Sequence, residues 1–458
     1  MILKLLPFQE IGRDFLVSKS NAILADDMGL GKTITSIEAM KKLNIPRGII
    51  ITPQTIRHTW IKVLKEQAPM IKTKEITSTK VMPEPNSVNV VNYDIVWREP
   101  LLSRIKENRW PLLIADESHY VKNIESKRAK AIIGKGGIYA LCTRRWLLTG
   151  TPVLNRPIEL YAPLRALRPE IMGEYRDYYR YAFRFCAGYH DVYGFNASGA
   201  SNLDQLSQFL KPIMLRRTKE EVLPELPGIT YEKIYLPPTS ELAKIVDEEN
   251  KYAESLSIKQ ALGMLKIKTA NKHIEHLLLT KNKVVVFTWH TAVADGVKKH
   301  FRDTAVLHTG AETVKQKEKA REDFIRTDTN VRVFIGQLES TGVGVDGLQG
   351  VCDTALFIEI IGVPKKIEQA AGRLHRMGQK NNVLIQFLVA ENSADEDVID
   401  TLIEKSKNIN KIMGEEGKIH FVGSNCAMCG KKFELHKLGS VIGKAVCDSC
   451  GKMLGCLT

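Results

Sequence analysis

The chain has no stretch of about eighteen consecutive apolar residues, so nothing in it reads as a membrane-spanning helix. It shows no internal repeat and no low-complexity block, which argues against solenoid and fibrous classes. Met1 leads almost directly into the first motif, so no secretory leader is expected. Cysteine is sparse, at 8 in 458 residues. Cys142, Cys186 and Cys352 read as core and Cys456 as a free thiol, and the other four form a cluster near the end of the chain. Acidic residues are in deficit, with 52 Asp and Glu against 66 Lys and Arg, which leaves a net charge of +14. That balance suits a polyanionic partner, although a merely basic enzyme would show it too. The length points to about three domains, and a hydrophobic content of 44% is enough for large cores.

Short apolar runs alternate with amphipathic stretches: Ala22 to Ala25, Gly48 to Thr52, Asn89 to Asn92, Leu112 to Ala115 and Trp146 to Thr149. The alternation returns in Val284 to Thr288, Thr304 to His308, Val331 to Ile335, Thr354 to Ile358 and Asn382 to Leu388. This predicts an α/β fold with two parallel-sheet halves covered by helices. The expected domains are 1–225, with a helical insertion at 155–220, then 226–420, with a helical protrusion or linking helix pair at 240–280, and finally 424–458. Leu223 to Gly228 is a proline-rich break between the halves.

After the first run comes Asp26-Asp27-Met28-Gly29-Leu30-Gly31-Lys32-Thr33, and a helical pattern follows. Strand, glycine-rich turn and helix are the context of a phosphate-binding loop, in which backbone N–H groups and the helix N-terminus face the phosphates. Lys32 would reach the β and γ phosphates of ATP, and Thr33 would hold Mg²⁺. The first glycine of the usual pattern is replaced by Asp26. Leu112 to Ala115 ends in Asp116-Glu117, an acidic pair at the carboxyl end of a buried strand. Asp116 would bind Mg²⁺ through its outer shell, and Glu117 would orient and deprotonate the attacking water.

With these motifs in this order, the chain resembles the superfamily-two helicases, and among them the Swi/Snf-type DNA translocases, from Leu5 to about Val398. Leu6-Pro7-Phe8-Gln9 looks like the adenine-reading segment, with Gln9 as the base contact. Thr52-Pro53-Gln54, with Trp60, looks like the first DNA-contacting segment, and Leu147 to Pro152 like the segment that couples hydrolysis to domain movement. Ser340 to Gly344 resembles a loop touching DNA and nucleotide through Gly342 and Gly344, followed unexpectedly by Asp346. Gln369 to Gln379 resembles the arginine-finger motif. The resemblance implies that Gln369 lies at the nucleotide and that Arg373 and Arg376 reach the γ-phosphate. The GR, HR and GQ form of this stretch points to the Swi/Snf branch rather than the DEAD-box branch. The segments Ser198 to Leu203 and Met214 to Lys219 resemble the annealing and fork-remodelling members.

That resemblance implies a DNA-dependent ATPase moving on duplex, forked or branched DNA through backbone contacts. A strand-separating helicase on DNA or RNA and a catalytically dead scaffold are the alternatives. The implied location is intracellular, and cytoplasmic for a bacterial or phage protein.

The last cysteines, Cys426, Cys429, Cys447 and Cys450, form C-x2-C-x17-C-x2-C, with Gly430 and Gly451 after each pair. Four thiolates at this spacing suit tetrahedral structural Zn²⁺ without an open coordination position. A disulfide pair or a redox centre is the alternative. From Asn425 to Thr458 there are five lysines against one aspartate and one glutamate. This basic module could touch DNA, dock a protein partner or cap the motor.

Overall fold

A computed structural model describes residues 4–153, 155–192, 194–236, 256–341, 345–390, 393–413, 438–441 and 444–447. Among these, no helix is long and apolar enough to cross a membrane. The chain divides into two compact units. The first comprises Met1–Leu226, Val363–Gly372 and Glu404–Gly417, and the second is built from Pro227–Gly362 and Arg373–Ile403. The expected second half therefore gives up two segments to the first unit, and the boundary runs through the arginine-finger stretch between Gly372 and Arg373.

The first unit holds strands β1 (Asn21–Leu24), β2 (Gly48–Thr52), β3 (Thr73–Ile76), β4 (Val88–Asn92), β5 (Trp110–Asp116) and β6 (Cys142–Leu148). A short hairpin, β7 (Tyr189–Asp191) and β8 (Gly194–Asn196), precedes β9 (Met214–Leu215). Seven strands form one sheet in the order β3-β4-β2-β5-β6-β1-β9, with every pairing parallel. Parallel sheets are buried on both faces, so their strands read as unbroken apolar runs. In β2, Ile50 joins one core cluster with α1 (Pro7–Ser18), α2 (Lys32–Lys42) and α3 (Gln54–Gln67). Its neighbours Ile49 and Ile51 join another cluster on the opposite face with Leu101, Ile105 and Ile132, the alternation the pleat dictates. Beyond β6, Tyr161, Leu164, Tyr181, Phe185 and Leu206 pack on Ile23 and Leu147 as a third cluster.

The second unit repeats the plan with β10 (Ile229–Leu236), β11 (Val284–Thr288), β12 (Ala305–His308), β13 (Val333–Gln337), β14 (Thr354–Phe357) and β15 (Val383–Ala390). Their order is β10-β15-β14-β11-β13-β12, again all parallel. The two units are thus RecA-like α/β domains. The sequence pattern does not anticipate β10, because Tyr231 and Leu236 face inward while the residues between them are only half-buried. The helix Leu256–Thr280 corrects the expected protrusion: Leu262, Ala270, Ile274 and Leu277 lie in the core of this sheet. It is a layer of the domain over those residues. In the tail only β16 (Leu438–Val441) and β17 (Lys444–Cys447) are described, as an antiparallel pair. Cys426, Cys429 and Cys450 lie outside the described residues, as do Gly342 and Gly344.

Candidate nucleotide site

In the first unit, β1 and β5 are separated by β6 alone. Their carboxyl ends open onto one edge, where α/β sheets bind ligands. The loop after β1 turns through Gly29 at φ 87° and Gly31 at φ 79°, angles that other residues adopt only at a cost. At Gly31 a Cβ would also lie 2.4 Å from Gln9 Nε2. α2 begins immediately at Lys32, so its first unbonded N–H groups face the loop. Lys32 Nζ donates to the carbonyls of Asp26 (2.8 Å) and Asp27 (3.3 Å). Gly150, after β6, comes so close that a Cβ there would sit 2.4 Å from Met28 Cγ and 3.4 Å from Lys32 Nζ.

Gln9 buckles the start of α1 to this loop. Its Oε1 accepts from Leu6 N (3.0 Å), and its Nε2 donates to Leu30 O (3.1 Å). An amide has two donors and two acceptor lone pairs, so capacity for a base edge remains. Leu30 is an apolar anchor, clustered with Phe8 and Leu223.

The substitution of Asp26 for glycine has a structural explanation that the sequence reading missed. Asp26 and Asp27 would repel a polyphosphate, but each is matched by an arginine from the segment after β9. Arg217 Nε donates to Asp26 Oδ1 (2.9 Å), and its Nη2 bonds Asp26 Oδ2 as well, a bidentate pair. Arg216 Nη2 meets Asp27 Oδ1 at 2.7 Å, and its Nη1 donates to Ala25 O (2.6 Å) and Gly150 O (3.2 Å). Asp27, expected in the phosphate cradle, has its N–H on Arg217 O (3.0 Å) and its Oδ2 on Lys219 N (3.2 Å). These bonds tie the loop to the segment after β9. Two adjacent acids and two adjacent arginines 190 positions apart were the available signal. Arg217→Ala removes the bidentate partner of the Asp26 carboxylate, whose side chain is 1% exposed in the intact pair. Thermal or denaturant unfolding should show a loss of about 3–5 kcal/mol. A change within about 0.5 kcal/mol, the scale of an ordinary surface substitution, would place the pair outside the loop's support.

The acidic pair sits where β5 ends. Tyr93 O–H donates to Asp116 O (2.8 Å), Trp60 Nε1–H donates to Asp116 Oδ2 (2.7 Å), and Glu117 N–H donates to Oδ1 (2.9 Å). Burial first, then the adjacent Glu117 charge, push the Asp116 carboxyl up to about 6, while the Trp60 bond and the Lys32 charge pull the other way. Two buried carboxylates held side by side near a lysine make a donor set suited to a divalent cation, which would restore the ionised form. Asp116 therefore fits Mg²⁺, and Thr33 follows Lys32 as the second residue of α2. Glu117 takes a left-handed backbone (φ 51°, ψ 51°), unusual for a residue other than glycine, and its Oε2 lies 3.3 Å from His119 Nδ1. Trp60 corrects part of the expectation for α3: at 1% exposure it faces the carboxylates and cannot itself touch DNA.

Gln369, assigned to the first unit, donates from Nε2 to Thr151 Oγ1 (3.2 Å), the hydroxyl two residues past Thr149. In the second unit, Arg373 Nη1 donates to Val345 O (3.3 Å) and stands 3.7 Å from Asp346 Oδ1. Arg376 pairs directly with the same carboxylate. The unexpected Asp346 is thus the counter-ion of both motif arginines. His375 Nε2 is 2.8 Å from Pro227 O, an intradomain bond. Burial pushes the Cys142, Cys186 and Cys352 thiols up to about 12, as suits core residues.

Comparison with known proteins adds a family. Residues 12–286 match the model of the SNF2-related domain. The Bos taurus SWI/SNF-related matrix-associated actin-dependent regulator of chromatin subfamily A-like protein 1 is 29% identical over 445 residues, covering 91% of this chain and 45% of that protein. The Mus musculus DNA annealing helicase and endonuclease ZRANB3 is 30% identical over 430 residues, covering 86% and 39%. The chain therefore spans about half the length, or less, of these two relatives. A Sulfolobus solfataricus SWI2/SNF2 ATPase core solved in complex with dsDNA aligns with 90% of this chain and 98% of that chain, at 21% identity and a TM-score of 0.44.

Proposed function

The chain belongs to the SNF2-related domain family, and on that premise we propose that it is a DNA-dependent ATPase that moves along duplex, forked or branched DNA, remodelling or reannealing it or displacing bound proteins. The observation that carries this reading is the convergence of Lys32, Asp116 and Glu117 at the carboxyl edge of one parallel sheet. Bound Mg²⁺ supplies charge neutralisation for the phosphates. Thr33 and Asp116 would hold it, the loop N–H groups and Lys32 bind the phosphates, and Glu117 takes the proton of the attacking water. Arg373 and Arg376 stabilise charge developing at the γ-phosphate. Gln9 faces the base. Duplex remodelling is favoured over strand separation by the Gln369 to Gln379 stretch and by the annealing helicase among the relatives. The test is ATPase rate with duplex, forked and single-stranded DNA and with RNA, side by side. Duplex or forked DNA should stimulate most. Equal stimulation by RNA favours the helicase reading, and no turnover under any condition favours a scaffold.

The four tail cysteines are read as a structural Zn²⁺ site, set apart from the chemistry because four thiolates leave no open position. Elemental analysis of protein purified without chelator should find one zinc per chain. Removing 425–458 should spare basal hydrolysis, because no proposed ATPase residue lies there. A value well below one zinc, or loss of basal hydrolysis in a folded truncated protein, would contradict this reading. Whether the module meets DNA or a protein partner is decided by comparing DNA affinity with and without it.

A further inference from the structure

Trp60 lies in the middle of α3, the helix that follows β2 directly. Its neighbours His58, Thr59 and Lys62 are exposed, while its own ring is 1% exposed and reaches across to Asp116. A purely hydrophobic core position is filled as well by leucine or phenylalanine. An indole adds one N–H, which needs an acceptor when buried. Here the acceptor is Oδ2 of the carboxylate that the proposed function assigns to Mg²⁺, at 2.7 Å. The other oxygen, Oδ1, accepts from Glu117 N–H at 2.9 Å. One donor on each oxygen fixes the plane of the carboxylate. It leaves a second lone pair on each oxygen for an incoming cation or its water.

We propose that Trp60 is a positioning residue that holds the Asp116 carboxylate in the orientation needed to grip Mg²⁺ with nucleotide. Hydrogen-bond partners behind a metal ligand typically govern about 10- to 100-fold in metal affinity. The seat of α3 then sets the grip on the metal. Because only one of the two donors comes from the main chain beside Asp116, the second makes the site sensitive to a helix whose other face meets solvent. This inference rests on the nucleotide-site reading above.

The test measures binding rather than turnover. Affinity for ADP is determined at equilibrium, with and without Mg²⁺, for the full chain and for Trp60→Phe, which keeps an aromatic ring but has no donor. Metal-free affinity should stay within about twofold, while the gain on adding Mg²⁺ should fall about 10- to 100-fold. Asp116→Asn should remove the same gain, and Trp60→Phe combined with Asp116→Asn should be no worse than Asp116→Asn alone. An undiminished Mg²⁺ gain in folded Trp60→Phe overturns the proposal, as does a further loss in the double variant. If Trp60→Phe does not fold, the native protein decides: the Trp60 indole proton should shift in the NMR spectrum with Mg²⁺ and ADP together and not with ADP alone. An indole proton that stays put in both cases overturns it. A parent chain that binds no nucleotide fails the functional reading itself, whereas a parent that binds and a variant that matches it fail this inference alone.

Discussion

Arg376→Ala should leave ATP affinity within a few-fold of the parent and lower turnover by about 10³ to 10⁵, the range measured for arginine fingers. The geometry makes the residue suitable for that task. Arg376 pairs with Asp346, whose side chain is 65% exposed. An ion pair in contact with water contributes only about 0–1 kcal/mol, so exchanging the carboxylate for a γ-phosphate oxygen costs little. A guanidinium locked in a buried pair could not make that exchange. Because the charge it meets develops mainly in the transition state, its removal acts on kcat and not on ground-state affinity. Steady-state kinetics combined with equilibrium nucleotide binding separate the two. A loss found entirely in ATP affinity would make Arg376 a ground-state ligand, and a loss found only in DNA affinity would move it to the DNA track.

Glu117→Gln should keep nucleotide binding and lose turnover by about 10² to 10⁴, the usual contribution of a positioned general base. The substitution preserves size and the ability to hydrogen-bond, and removes only the proton acceptor. The left-handed backbone at this position (φ 51°) belongs to the turn after β5, which glutamine occupies at the same cost as glutamate. His119, 3.3 Å away, is the neighbour that could take over part of the role. Turnover within tenfold of the parent would remove Glu117 from the mechanism. Recovery of turnover in Glu117→Gln but not in Glu117→Gln combined with His119→Ala would transfer the role to the histidine.

Most strands of both sheets, though not β3, β9 or β10, were legible because fully buried parallel strands leave continuous apolar runs. Val284 to Thr288 and Gly48 to Thr52 coincide with β11 and β2 to the residue. The glycine turn before α2 and the acidic end of β5 were legible for a related reason, since each is a local motif carried on a single turn. What escaped were interactions between distant segments. β10 is half-exposed and has no clear period. The arginines that brace Asp26 and Asp27 carry no marker in their own neighbourhood. The resemblance groups Trp60 with a DNA-contacting segment, because pattern does not tell which side of a helix a single aromatic takes. Charged residues along the helix Leu256–Thr280 hide its apolar seam, so the sequence suggests a protrusion or a linking helix pair there and not a layer of the domain.

The Arg216–Asp27 and Arg217–Asp26 pairs bear on how the protein responds to ionic strength. Their side chains are between 1% and 12% exposed. Mobile ions, which screen charges in water over a Debye length of about 8–10 Å, therefore reach them poorly. Contacts to a DNA backbone behave in the opposite way, because each phosphate neutralised releases a counterion and affinity falls steeply as salt rises. On the proposed function, raising the salt concentration should therefore separate the two activities in one unmodified protein: DNA affinity should fall while hydrolysis without DNA persists.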